Sequence, residues 1–260
     1  MGTEFGQRMT AGKRRALIER LVAEQGAVQV EELADALSVT PSTIRRDLSL
    51  LTDQGKLART YGGAMPATSG EPSLGQRTTL ANAEKDRIAR WAAKQIVPGD
   101  TVLLDAGTTT GRLAHHLRDH AGLTVVTNGI TVLTELVDAD AVQVIGLGGE
   151  MRHISQGFVG PLAELTLSRI SADKVFVGAD GLDARLGICE ASLLQTRLKE
   201  QMIARAREVY VLADRSKLGA APFNAWAPLP ANWTLVTDNA APAAALAAFQ
   251  GLGGARVITV

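Results

Sequence analysis

At 260 residues, with 46% apolar residues, 21% charged residues and no net charge, the chain has room for one small and one medium globular domain. This excludes a disordered or fibrous chain and a surface that coats nucleic acid over its whole extent. No apolar run reaches the ~18 residues of a membrane span and the N-terminus lacks the apolar stretch of a secretory signal, so a cytoplasmic location is expected. Cys189 is the only cysteine, which excludes a disulfide framework and a multi-cysteine zinc site.

Between residues 13 and 25, Leu17, Ile18, Leu21 and Val22 recur at helical spacing, and Gly26 is expected to close this first helix. Residues 31–37 carry Leu33, Ala34 and Leu37 on one side and run into the tight turn Ser38-Val39-Thr40. Thr40 is expected as the N-cap of a third helix with Pro41 at its first position, where proline's missing N–H costs nothing. That helix should reach about Gln54 and end at Gly55, with Ile44, Leu48 and Leu51 on one face and Ser42, Arg45, Arg46 and Ser49 on the other. Residues 57–61 read as a short strand ended by a Gly62-Gly63 turn. From Thr40 to Ala64, the basic residues Arg45, Arg46, Lys56 and Arg59 stand against only Asp47 and Asp53, so this short stretch is positive in a neutral chain.

The Pro-, Gly-, Ser- and Thr-rich stretch from Pro66 to Gly75 reads as a linker. After Ala81 a helix covering Ile88, Ala89, Ala92 and Ile96 leads to Pro98-Gly99-Asp100. Short apolar runs then alternate with amphipathic stretches: 101–104, 123–127, 142–145, 174–177, 209–212, 234–237 and 257–260. Apolar strands separated by helices imply a mostly parallel sheet covered on both faces. The alanine-rich 240–248 is expected as a surface helix.

The polar face of the third helix suits the major groove of B-DNA, where Arg45 and Arg46 supply planar donor forks and Ser42, Thr43 and Ser49 short hydroxyls. From charge and periodicity alone, the same helix is equally well a solvated face of a small bundle. The whole segment VTPSTIRRDLSLLTDQGKLARTYGGAM, residues 39–65, closely resembles the DNA-binding signature of the DeoR family of sugar-metabolism regulators. The resemblance implies a winged helix-turn-helix in which Thr40, Ser42, Thr43, Arg45, Arg46, Ser49 and Lys56 face DNA and Arg59 and Tyr61 lie on or near the wing. Asp47 reads as structural, orienting an arginine.

In the second part of the chain, Asp105-Ala106-Gly107-Thr108-Thr109-Thr110 lies between a strand end and a helix start, where backbone amides and the helix dipole stabilise a phosphate. Hydroxyl-rich turns also cap helices with no ligand, and no Gly-Lys-Ser/Thr follows to make a nucleotide loop. Similar polar loops end other strands: 127–129, 146–152, 178–181 and 214–217. In doubly wound sheets such strand ends share one crevice. Over most of 83–219 these loops resemble the DeoR sensor domain, which is related in fold to ribose-5-phosphate isomerase. The resemblance implies that Gly107 to Thr110 hold a phosphate, that Arg152 and Lys217 supply positive charge, and that Asp105, Asn128 and Asp180 meet sugar hydroxyls. Thr127, Gly148, Gly149, Gly181, Glu190 and Lys199 complete the expected effector set. The sequence departs from the family pattern around Cys189 and Arg197; if Arg197 faces the pocket, the effector bears a second acidic group.

His115, His116 and His120 share one helix, but without an H-E-x-x-H pattern they read as surface histidines rather than metal ligands. Cys189, with no neighbouring base, reads as a buried thiol rather than a nucleophile. The fold class is therefore α/β, an N-terminal winged helix-turn-helix domain (8–65) joined by a linker (66–80) to a Rossmann-like, mostly parallel α/β effector domain (81–260). The function expected is a DNA-binding repressor of a carbohydrate-utilisation operon, released by a phosphorylated sugar, acting as a homodimer or homotetramer, with no catalytic residues, no metal and no cofactor. The alternatives are an isomerase-like enzyme with an added DNA-binding domain and a constitutive DNA-binding protein with a dead sensor.

Overall fold

Buried apolar side chains gather in separate cores before and after residue 77, and the chain divides accordingly into two units, Met1–Arg77 and Thr78–Val260. The computed structural model describes residues 9–25, 28–54, 56–60, 62–66, 71–251 and 254–260. Gly26, Gly55 and Tyr61, which the sequence singles out, lie outside the described residues.

The first unit runs α1 (Ala11–Gln25), β1 (Val28–Gln29), α2 (Val30–Ala36), α3 (Pro41–Asp53), β2 (Leu57–Thr60) and β3 (Gly63–Pro66). Ile18 and Val22 of α1, Leu33 and Ala34 of α2, and Ile44, Leu48 and Leu51 of α3 meet in one core, as helical spacing of apolar residues requires. Helix α2 stops because Ser38 adopts left-handed backbone (φ 50°), which lets the Val39 amide donate to the Ala34 carbonyl at 3.0 Å. Thr40 caps α3, its Oγ1 accepting from the Thr43 amide at 3.3 Å. Of the strand expected at 57–61, β2 covers Leu57–Thr60; the chain turns back at Gly62 and continues as β3, which pairs antiparallel with both β2 and β1. A Cβ on Gly63 would stand 2.0 Å from the Val28 carbonyl oxygen, so the approach of β1 requires glycine there. Within the stretch expected as linker, α4 (Leu74–Thr79) is helical.

The second unit continues with α5 (Asn82–Ala93), β4 (Thr101–Leu104), α6 (Thr108–His116), β5 (Leu123–Thr127), α7 (Ile130–Leu136), β6 (Val142–Gly146), β7 (Glu150–Arg152) and β8 (Gly157–Val159). Then follow α8 (Pro161–Leu167), β9 (Ala172–Val177), β10 (Gly181–Asp183), β11 (Gly187–Glu190), α9 (Leu193–Ala204), β12 (Ala206–Leu212), β13 (Ala225–Ala227), β14 (Trp233–Thr237), α10 (Ala243–Gln250) and β15 (Ala255–Thr259). Every apolar run predicted as a strand lies in one seven-stranded sheet of order β15-β14-β12-β9-β4-β5-β6, parallel throughout. The chain starts in the middle at β4, winds outward to β6, then returns to β9 on the other side of β4 and winds outward to β15.

Alternation along the strands explains the two-faced burial. Val102 and Leu104 of β4, Phe176 of β9 and Tyr210 of β12 face a core built with α5, α6 and α7. Leu103, Val175, Val177 and Val211 face the opposite core, built with α8, α9 and α10. Helix α5 ends at Ala93, short of the expected Ile96, which is nonetheless buried. Two small antiparallel elements, the β7-β8 hairpin and the sheet β10-β11-β13, stand apart from the main sheet. No helix among the described residues is long and apolar enough to cross a membrane.

Asp47 joins α3 to α1: only 4% exposed, it accepts from Arg14 Nε at 2.5 Å, with Arg15 at 3.9 Å. Asp47→Ala leaves the Arg14 guanidinium without its carboxylate and should cost about 2–3 kcal/mol. Hydrogen exchange on the full chain checks this: amides of α1 and α3 should exchange faster while those of α5 to α10 keep their protection.

Candidate functional site

The exposed face of α3 carries Ser42, Arg45, Arg46 and Ser49, opposite the buried Ile44, Asp47, Leu48 and Leu51. Thr40, also exposed, meets the hydroxyls of Ser42 and the half-buried Thr43 at 2.9 and 3.0 Å, which orders the start of the helix. The cations on this unit are not equivalent. Arg45 pairs with Glu31 of α2 at 3.2 Å and Lys56 with Glu19 of α1 at 2.9 Å, whereas Arg46 forms no ion pair among the described residues. Arg59 sits on β2, opposite Ala64 of β3, in the hairpin that forms the wing.

In the second unit the polar loops converge at the carboxyl ends of β4, β5 and β9, where the winding direction reverses. Asp105 ends β4: its Oδ1 accepts from the Ala106 amide at 2.8 Å, and its Oδ2 accepts from the Gly178 amide, beyond β9, at 3.3 Å. Asn128, beyond β5, accepts from the same Ala106 amide at 2.9 Å and donates through Nδ2 to the Phe158 carbonyl of β8 at 3.1 Å. Thr127 donates to the Leu104 carbonyl at 2.7 Å and accepts from the Gly129 amide at 3.0 Å. These three buried side chains thus strap neighbouring strand ends together. Helix α6 starts from this frame at Thr108, and the amides of Thr108, Thr109 and Thr110, at its first turn, have no partner among the described residues. Thr131 of α7, which the sequence reading passed over, donates alongside Thr110 to the Gly107 carbonyl, at 3.1 and 3.2 Å, and fixes the start of α6 from the neighbouring helix.

Lys199, from α9, is the centre of the buried polar cluster. Its ammonium donates to Asp105 at 3.0 Å, to the Gly178 carbonyl at 2.7 Å and to Glu190 of β11. Lys199 and Glu190 are each 1% exposed and Asp105 2%. Burial favours the neutral form of Lys199, but the carboxylates of Asp105 and Glu190 outweigh it and hold the ammonium charged beyond the ordinary lysine range. Burial pushes the Glu190 carboxyl up to about 7 against the pull of Lys199, with Asp180 and Asp105 adding repulsion. Glu190 Oε2 and Gln195 Oε1 have no hydrogen-bond partner among the described residues.

The remaining expected residues take their places from the small elements. Gly149 (φ 134°) allows the β7-β8 hairpin to close, since a Cβ there would stand 2.5 Å from the Val159 carbonyl oxygen; Gly148 beside it is exposed. Arg152 lies opposite Gly157, and Gly157 bridges to Gly129, so the hairpin lies beside the Asn128 loop. Gly181 opens β10 next to Asp180, and the bridge from Leu182 to Leu218 brings the turn carrying Lys217 alongside. Lys217 is half-buried and forms no ion pair among the described residues.

One expectation is corrected. Arg197 is 66% exposed at its side chain and pairs with Glu164 of α8 at 2.9 Å, so it faces away from the buried Lys199 on the same helix, and the inference of a second acidic group on the effector falls. Helical geometry gives the reason: residues two apart point in nearly opposite directions. Cys189 is fully buried, its thiol donating to the Phe223 carbonyl at 3.3 Å, and burial raises its pKa. His115 and His116 pair with Glu135 and Asp86 at 2.9 and 3.0 Å.

Comparison with known proteins matches residues 14–69 to the DeoR-like helix-turn-helix domain and residues 81–239 to the DeoR C terminal sensor domain. A protein of Escherichia coli O157:H7 named for repression of the aga operon is 34% identical over 257 residues, covering 96% of this chain and 94% of its own. The glycerol-3-phosphate regulon repressor of Escherichia coli K12 is 36% identical over 203 residues, covering 78% of this chain and 81% of its own. Among solved structures, ribose 5-phosphate isomerase A from Methanocaldococcus jannaschii is 16% identical with a TM-score of 0.37, covering 51% of this chain and 52% of its own, a likeness too distant to bear on function.

The raised Glu190 carboxyl has a consequence for stability. A group that titrates at 4.5 when unperturbed and near 7 in the folded chain keeps its proton on folding between those values. Its contribution is therefore complete below the unfolded value and is lost as pH rises to about 7. Urea denaturation at several pH values should show wild type losing stability relative to Glu190→Gln across that interval, and a constant difference between the two would contradict it.

Proposed function

The chain belongs to the DeoR family of transcriptional regulators, and from that premise we propose that it represses a carbohydrate-utilisation operon and leaves its operator when a phosphorylated sugar binds the second unit. The observation that carries the sensor half is the frame at the sheet's switch point, where Asp105, Asn128, Thr127 and Thr131 fix the start of α6 and leave its first amides available to an anion. Arg152 and Lys217 stand on elements that border this frame and supply its positive charge. The name of one relative, the glycerol-3-phosphate regulon repressor, makes glycerol 3-phosphate the first effector to try.

For the DNA half, the exposed face of α3 supports major-groove reading, with Arg46 as the base-reading cation because no carboxylate among the described residues pairs with it. Arg45 and Lys56 must exchange Glu31 and Glu19 for phosphates on binding, which suits them to backbone contacts. Two copies would read an inverted repeat, one half-site each. An effector that binds the free form better than the DNA-bound form needs a coupling of only about 1–3 kcal/mol to release the operator.

The isomerase alternative draws on one observation: Asp105, Asp180, Glu190 and Lys199 form the cluster of carboxylates and lysine that proton abstraction beside a carbonyl would use. Against it stands the sealing of Lys199 and Glu190, which bond to each other and leave almost no surface for a carbon acid to approach. Non-enzymatic regulation therefore fits the residues better.

Gel-shift titration of the chain with its own upstream DNA tests this reading. One compound of a sugar-phosphate panel should release the complex without being turned over; turnover would favour the enzyme, and no response a dead sensor. Arg46→Ala should relax base preference, whereas Lys56→Ala should weaken all DNA alike and reduce the salt slope by about one. Equal, sequence-independent losses in both variants would refute the division of roles.

A further inference from the structure

The helical layer of α5, α6 and α7 holds a groove of about 470 Å³, within the ~300–1,000 Å³ range of small-ligand sites. It begins at Thr108, the first residue of α6, and extends past Arg112 to Thr134 and Glu135 of α7. The two helices close its floor at Gly111, where an added Cβ would stand 3.1 Å from the Thr131 Cβ. Gln156, in left-handed backbone (φ 50°) with its carbonyl accepting from the Ile130 amide at 2.9 Å, lines it from the β7-β8 loop.

Charge in the groove is unevenly compensated. Asp86 is paired with His116 at 3.0 Å and Arg90 at 2.6 Å, and Glu135 with His115 at 2.9 Å. Arg112 hydrogen-bonds to a neutral group, the Asn82 amide oxygen, and forms no ion pair among the described residues, although its charge also acts at longer range on Asp86. A guanidinium has five N–H donors, so most of its fork remains for an anion. Arg112 lies one helical turn from Thr108, whose amide has no partner among the described residues, so a single phosphate can reach both. Beyond it, the exposed hydroxyl of Thr134 and the carboxylate of Glu135 offer acceptors to hydroxyl groups. By contrast, Asp105 and Asn128, two of the three side chains that the sequence proposed for the sugar hydroxyls, are buried and bonded within the protein, as is Lys199 of the wider expected set.

We propose that this α6-α7 groove holds the effector, with the phosphate between the Thr108 amide and Arg112 and the polyol part along Thr134 and Glu135. Arg112 is then the main determinant of phosphate over the unphosphorylated sugar, and Thr134 and Glu135 set which polyol fits. This rests on reading the second unit as a sugar-phosphate sensor.

Calorimetric titration of the full-length protein with triose, pentose and hexose monophosphates, each beside its unphosphorylated parent, first identifies the compound that wild type binds. Arg112→Ala should then weaken that compound on the order of 10- to 100-fold, the range of a lost charge-assisted hydrogen bond, and Arg112→Lys should restore part of the loss. Thr134→Trp serves if Arg112→Ala fails to fold: position 134 is exposed, so the indole fills the groove rather than the core, and it should abolish binding. If wild type binds a sugar phosphate and all three variants bind it within twofold, the groove assignment falls while the sensor reading stands. If wild type binds none of the panel, the sensor reading falls and takes the assignment with it.

Discussion

A lysine ammonium sealed from water holds the centre of the second unit together. Lys199 reaches from α9 to the end of β4 through Asp105, to the end of β9 through the Gly178 carbonyl, and to β11 through Glu190. Desolvating such a charge is expensive, and it is tolerable only because several acceptors surround it. Burial, with the neighbouring carboxylates Asp180 and Asp105 adding repulsion, makes Glu190 favour its protonated form until near neutral pH. Through Asp105 the clasp extends to the amides of Ala106 and Gly178, and through Ala106 to Asn128 and β8. The start of α6, on which anion binding would depend, is therefore placed by a chain of buried bonds.

The first unit uses the same device on a smaller scale. Asp47 lies in the middle of α3, the helix proposed to read DNA, yet it points inward and holds α1 through Arg14. One carboxylate thereby fixes the orientation of α3, and the arginines on its outer face are left at defined positions. Their local partners differ, Glu31 for Arg45 and none among the described residues for Arg46, and the proposed division of roles rests on this difference. In both units polar groups are buried to set geometry, while the groups offered to ligands stand at helix surfaces or helix starts.

Local pattern was enough to read much of this. Thr40-Pro41 marked the start of α3, the 3.6-residue spacing of Ile44, Leu48 and Leu51 marked its buried face, and each apolar run in the second half became a strand of the parallel sheet. Short elements escaped. The β10-β11-β13 sheet and the β7-β8 hairpin are strands of three or four residues, too short to show a period, and β13 joins β11 only across α9 and β12, while Thr131 reads as an ordinary helix residue until α7 is set beside Gly107.

The sequence by itself determined the helices of the first unit, the strands of the parallel sheet and the family, because these are written in contiguous residues and local periodicity. Only the tertiary structure decided which polar side chains are consumed within the protein and which remain available. Asp105, Asn128 and Lys199 look as free in the sequence as Arg112, but bonds to residues more than twenty positions away engage the first two, and Lys199 is closed in by Asp105 from the far side of the sheet's switch point. Arg197 and Lys199, two residues apart, show the same limit: the turn of one helix sends one side chain to solvent and the other to the centre of the fold.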